Sequence, residues 1–123
     1  MGEKRTVEYV DVKRDQRILK QLPDATRAAI GEELTRLQRG DDTSQLLQYR
    51  PLTGFGPGVG ELKRGPWRVV LSTSADPTTV WIVCVFKKDS PSGSTMPKKH
   101  RKLIESSLDR LSAHITKPNT SAH

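Results

Sequence analysis

The chain of 123 residues contains a single cysteine, Cys84. No disulfide can form within it, and a zinc site built on paired cysteines is excluded. No His, Asp and Glu residues cluster at metal-ligand spacing, so the sequence predicts neither a metal nor a cofactor. No apolar run approaches the roughly 18 residues of a membrane span. The opening "MGEKRTVEYVDVKRD" has no apolar core of the kind a signal peptide carries, so a cytoplasmic protein with no membrane partner is expected. Hydrophobic residues make up only 33% of the chain, which predicts one small core and loose ends.

Acidic residues are scarce in the second half. Residues 62–123 carry Asp76, Asp89, Glu105 and Asp109 against eleven Lys and Arg, whereas residues 1–61 balance ten against ten. The whole net charge of +7 therefore lies in the second half. So few carboxylates argue against a two-metal or paired-carboxylate hydrolase. The excess of cations suggests a polyanion surface for nucleic acid, anionic lipid or an acidic partner. A basic soluble protein without such a partner has the same count. "TGFGPGVG" matches neither GxxxxGK(S/T) nor GxGxxG in register, and reads as a flexible loop rather than a nucleotide cradle.

What is present predicts an α+β domain over residues 1–115, followed by a disordered tail at 116–123. "TVEYVDV" alternates, with Val7, Tyr9 and Asp11 on one side and Glu8, Val10 and Val12 on the other, as a short strand does. Residues 13–22 favour helix. A second helix opens at Pro23 and Asp24, carries Ile30, Leu34 and Leu37 inward, and stops at Gly40. "DDTSQLLQYRPL" reads as a connector with a short helical turn at 44–49. Strands are predicted at 59–64, 66–73 and 78–86, the last apolar enough to be covered on both faces. Pro97 opens a final helix whose stripe is Ile104, Leu108, Leu111 and Ile115.

Arg68 lies in the otherwise apolar strand "WRVVL". A guanidinium keeps its proton, so it must either meet a carboxylate, with Glu61 the near candidate, or face a solvated hollow that binds an anion. Lys87 and Lys88 end the next strand, where lysines are ordinarily solvated. "PKKHRK" loads Lys98, Lys99, His100, Arg101 and Lys102 onto a helix start. That end of a helix prefers anions, and a bound phosphate would offset both the charges and the dipole. His100 is the one group there suited to proton transfer near neutrality, although an exposed helix histidine is the ordinary alternative. Cys84, within a buried strand, reads as a small hydrophobe. The remaining chemistry is metal-free cleavage of RNA, in which the 2′-hydroxyl attacks the adjacent phosphorus.

"LPDATRAAIGEELTRLQRG", "GPGVGELKRGPWRVVL" and "VCVFKKDSPSGSTMPKKHRKLIESSLDRL" together resemble the phage-derived, HigB-type branch of the RelE/ParE toxin superfamily, over about residues 7–113. The resemblance implies a RelE-like fold, with two N-terminal helices packed on a twisted, mostly antiparallel sheet and a C-terminal helix. It implies a type II toxin that cleaves mRNA on the ribosome and is neutralised by a helix-turn-helix antitoxin; gyrase-targeting or non-catalytic nucleic-acid or partner binding is the alternative within the superfamily. Carried over by position, the catalytic candidates are Arg68, Lys63, Lys88 and His100. The RNA-binding candidates are Arg64, Lys87, Lys98, Lys99 and Arg101. Lys63, Lys87, Lys88 and the helix start are expected to converge beside Arg68.

Overall fold

The structure, a computed structural model, describes residues 4–46, 48–88 and 96–116. The strands are β1 (Thr6–Tyr9), β2 (Tyr49–Pro51), β3 (Val59–Arg64), β4 (Trp67–Ser72) and β5 (Thr79–Lys87). The helices are α1 (Val12–Leu19), α2 (Asp24–Gln38) and α3 (Lys98–Thr116), with a 3₁₀ turn at Thr43–Gln45. The sheet runs β1-β5-β4-β3-β2, antiparallel except where β1 lies parallel to β5. The α+β class and the mostly antiparallel sheet follow the sequence reading. Thr116, the first residue of the expected tail, is the last of α3; residues 117–123 lie outside the described residues, as do residues 89–95 of the loop before α3.

Alternation along β4 divides the core. Trp67, Val69 and Leu71 join Leu62, Val80, Ile82 and Val85 beneath Leu22 and Ile30 from the N-terminal half of the chain. Val70 joins Val59, Val83, Cys84 and Phe86 beneath Ile104 and Leu111 of α3. Helices thus cover both faces, and all six residues of β4 are buried. Covering both faces is what allows a run as apolar as "VWIVCVF" to be stable.

Three local features differ from expectation. Residues 11 and 12 leave the strand: Asp11 caps α1, accepting from the Arg14 backbone N–H at 3.1 Å, and Val12 is 47% exposed. The connector contains β2, whose three residues pair with Gly60, Glu61 and Leu62 of β3. Pro51 is tolerated there because β2 is an edge strand. Third, Val70 faces Cys84 while Leu71 faces Ile82, so Val83 is an extra residue on β5, a β-bulge.

The bulge lies where β1 ends. The last β1-side bond to β5 is from the Val10 N–H to the Ile82 carbonyl, 3.0 Å. Beyond it, side chains of α1 take over the edge. Arg14 Nη2 donates to the Val83 carbonyl at 3.0 Å, and the Asp15 carboxylate accepts from the Val85 N–H. Arg14 Nε lies 3.0 Å from Asp15 Oδ1. Asp15 is fully buried, and burial pushes its carboxyl above the usual range although Arg14 pulls the other way. Cys84 beside it is pushed up to about 12, chiefly by burial, and behaves as a small apolar side chain.

Candidate functional site

The strand register lays the site out across the sheet. Arg50 of β2 pairs with Glu61 of β3, and Arg68 of β4 pairs with Phe86 of β5. Arg68 shares a face with Val70, so this row lies under the N-terminal end of α3. Glu61, 2% exposed, accepts from Arg50 Nη2 at Oε2, 2.9 Å, and the same oxygen lies 3.9 Å from Arg68 Nε. Arg68, 6% exposed, donates through Nη1 to the carbonyls of Gly65 at 2.6 Å and Trp67 at 2.9 Å. Gly65 holds φ at 56°, which lets the β3–β4 turn present its carbonyl inward. Burial pulls the Arg68 guanidinium below its ordinary range, Glu61 raises it and Arg50 lowers it further. It remains a cation in all accessible conditions. Both alternatives left open for Arg68 are therefore visible: it meets a carboxylate, and it borders a hollow.

The hollow is a narrow cavity of about 20 Å³ bordered by Arg50, Glu61, Arg68, Lys88 and His100, space for about one water-sized group. His100 is buried at 5% exposure, so the exposed-histidine reading is corrected. Its imidazole stacks on Phe86 with centroids 4.1 Å apart and planes at 22°. Among the described residues, Glu61 is the one carboxylate on the cavity wall. A wider cavity of about 410 Å³ continues from it, sharing Arg50 and Met96 and adding Thr53, Phe55 and Arg101. The Arg101 guanidinium lies over the Phe55 ring, 5.0 Å from its centroid. Among the described residues, no three His, Cys, Asp or Glu side chains are grouped to hold a metal ion.

The expected convergence is corrected for Lys87, and the RNA-binding candidate Arg64 also turns away from the face of Arg68. Lys87 pairs with Trp67 and lies over its ring at 5.6 Å, on the α1–α2 face. Arg64 turns to the same face, with Nη2 3.8 Å from Glu33 of α2. Lys63 pairs with Arg68 and shares its face, exposed. Lys98, Lys99 and Arg101 are exposed on the first turn of α3. Of the nine candidates, Arg68, Lys88 and His100 meet at the narrow cavity and Arg101 borders the wide one.

Arg50 and Phe55 were missed. Arg50 lies in a stretch read as a connector because three residues are too few to show alternation. Phe55 is flanked by Gly54 and Gly56 at φ 88° and 96°, and a loop of that composition carries no periodicity that places an aromatic.

No family model matches the chain, and no curated protein matches it. Among solved structures, it is similar to a chain of the toxin–antitoxin complex RelBE2 from Mycobacterium tuberculosis. Identity is 26%, with 71% of this chain and 94% of that chain covered, at a TM-score of 0.44.

Proposed function

We propose that the chain is the toxin of a type II toxin–antitoxin pair, a ribosome-dependent mRNA endonuclease that works without a metal. The observation that carries this reading is the cavity where Arg50, Arg68, Lys88 and His100 surround a single buried carboxylate. The sequence resemblance to the HigB-type branch supports it, as does the one-sided charge of residues 62–123.

In the proposed reaction, the 2′-oxygen of one nucleotide attacks the adjacent phosphorus and loses its proton. The P–O5′ bond breaks, the 5′-oxygen takes up a proton, and a 2′,3′-cyclic phosphate remains. Arg50 and Arg68 stabilise the charge developing on the phosphoryl oxygens. Arg68 is held by two carbonyls and Glu61, so it acts as a fixed source of field rather than a mobile arm. His100, held flat on Phe86, is positioned to exchange a proton. Lys63, Lys98 and Lys99 extend the cationic surface from the cavity mouth. Lys87 and Arg64, on the far face, have no part in it. The partners under this reading are mRNA on the ribosome and a helix-turn-helix antitoxin, in the cytoplasm.

Induced expression without antitoxin, with mapping of RNA 5′ ends, tests the reading. Growth arrest with new cuts in mRNA is expected, and folded Arg68→Lys and His100→Gln variants should cut less. Cuts undiminished in both variants would overturn these assignments. One observation favours a second reading, a non-catalytic or gyrase-directed binder: Glu61 already offsets part of the arginine charge. Arrest with DNA-damage signalling and no mRNA cuts would select it.

A further inference from the structure

Met96 borders both cavities. The chain has one other methionine, Met1, which lies outside the described residues. Met96 is partly buried and packs against the core cluster that includes Phe86 and Ile104. The two cavity walls carry the guanidinia of Arg50, Arg68 and Arg101 and, among the described residues, one acid, Glu61. A thioether is only a weak acceptor, so Met96 does not compete for these donors. Oxidation changes that: methionine sulfoxide is polar where the thioether is apolar. The third sulfur of the chain, Cys84, is fully buried, with its thiol pushed up to about 12. It holds no thiolate for an oxidant to meet, which leaves Met96 as the sulfur at the site.

We propose that Met96 is an oxidation site, and that its sulfoxide closes the cationic cavity to phosphate. The inference rests on the RNA reading of that cavity and adds to it a means of regulation by hydrogen peroxide. The sulfur lone pair attacks one peroxide oxygen; the S–O bond forms as the O–O bond breaks. The departing hydroxide takes the remaining proton and leaves as water. Sulfur gives up two electrons and the peroxide accepts them. The narrow cavity has about 20 Å³ of space, room for about one water-sized group. An oxygen added on its wall takes up that room. It also offers an acceptor to Arg50, which both cavities share, and a guanidinium bonded to the sulfoxide is withdrawn from phosphate. Reduction of the sulfoxide by a dithiol-dependent reductase returns the thioether and reopens the site.

The test treats the full chain with hydrogen peroxide and maps the oxidised residues by peptide mass spectrometry. Affinity for a short 2′-O-methyl RNA, which has no free 2′-hydroxyl to attack, is read by fluorescence anisotropy at fixed salt before and after treatment. Oxidation at Met96 is expected to weaken binding roughly 10- to 100-fold, the scale of one hydrogen bond to a charged group. Methionine sulfoxide reductase with a dithiol should restore it. Met96→Leu should keep its own affinity through the treatment. Met96→Gln, which carries an amide oxygen in place of the sulfoxide, should bind weakly without treatment. Met96 left intact by a dose that oxidises it in the urea-unfolded chain would overturn the site. Oxidation at Met96 with affinity unchanged, or an equal loss in Met96→Leu, would overturn the closure while leaving the RNA reading standing. Loss of binding accompanied by thermal unfolding would show damage to the core and overturn the closure as well. Absence of RNA binding by the untreated parent would overturn the RNA reading and the closure together.

Discussion

His100 lies flat on Phe86, the two ring centroids 4.1 Å apart. The pair joins the start of α3 to the end of β5, so the imidazole is positioned by the sheet as well as by its own helix. Phe86→Leu keeps the burial and removes the stacking partner. It is expected to cost about 1 kcal/mol, the scale of one aromatic pair, and to reduce mRNA cutting while leaving the protein folded. Thermal unfolding and mapped RNA ends, measured on the same variant, check both parts.

Glu61 predicts effects of opposite sign on stability and affinity. Glu61→Gln removes the charge that holds Arg50 at 2.9 Å and faces Arg68 at 3.9 Å. Breaking a fully buried ion pair costs about 3–5 kcal/mol. Arg50 is more than half exposed, so a smaller loss of about 2 kcal/mol is expected after allowance for solvent screening. Two guanidinia lose their internal counter-charge at the same time. Affinity for a polyanion should therefore rise, with a steeper dependence on salt. Urea unfolding and a salt titration of oligonucleotide binding measure the two effects.

Asp15 takes the place of a strand partner along β5 beyond the end of β1. Asp15→Ala leaves the Val85 N–H and the Arg14 Nε–H without their acceptor, and about 3–5 kcal/mol of stability should be lost. Asp15→Asn keeps an acceptor and should cost roughly 1–2 kcal/mol. Because burial raises the folded carboxyl above its ordinary value of 3.8, its contribution is fully present below that value. It declines as pH rises through the raised one. The advantage of the parent over Asp15→Asn should shrink across that window.

Asp11 titrates the other way. Hydrogen bonds from Arg110 and from the Arg14 backbone lower its carboxyl below 3.8. Its contribution is present above that value and is lost as pH falls through the lowered one. Asp11→Asn should be less stable than the parent at neutral pH by about 0.2–1 kcal/mol, the scale of exposed ion pairs. The difference should disappear in strong acid. Denaturant melts at pH 7 and pH 2 check the sign.

Gly60 lies where Tyr49 packs. A Cβ added there would meet the Tyr49 ring and hydroxyl, so Gly60→Ala should displace β2 and lower the melting temperature. Arg50 moves with β2, so the same variant should weaken oligonucleotide binding. A variant with unchanged melting and unchanged binding would show that β2 does not position Arg50.

The elements were legible where burial is long and continuous. The apolar runs of β4 and β5 and the stripe Ile104, Leu108, Leu111 and Ile115 announced themselves by period. His100 could also have been read as buried, because it falls one helical turn before Ile104 on the same stripe. β2 was illegible: three residues that include Arg50 and Pro51 form a strand only because β3 offers its edge. Lys63 and Arg64 could have been separated by alternation alone. Lys87 and Lys88 could not, because their sides depend on a bulge that leaves no mark in a run of Val, Ile and Cys.

Counting by twos from Ile82 would put Phe86 on the same side of the sheet as Ile82, facing α1 and α2. The surplus residue Val83 exchanges the two sides for everything after it, so Phe86 lies under His100 and Lys87 lies over Trp67. The identity of the cation at the hollow is thus decided by a frameshift in space, five residues upstream of Lys88 on the strand that leads into it.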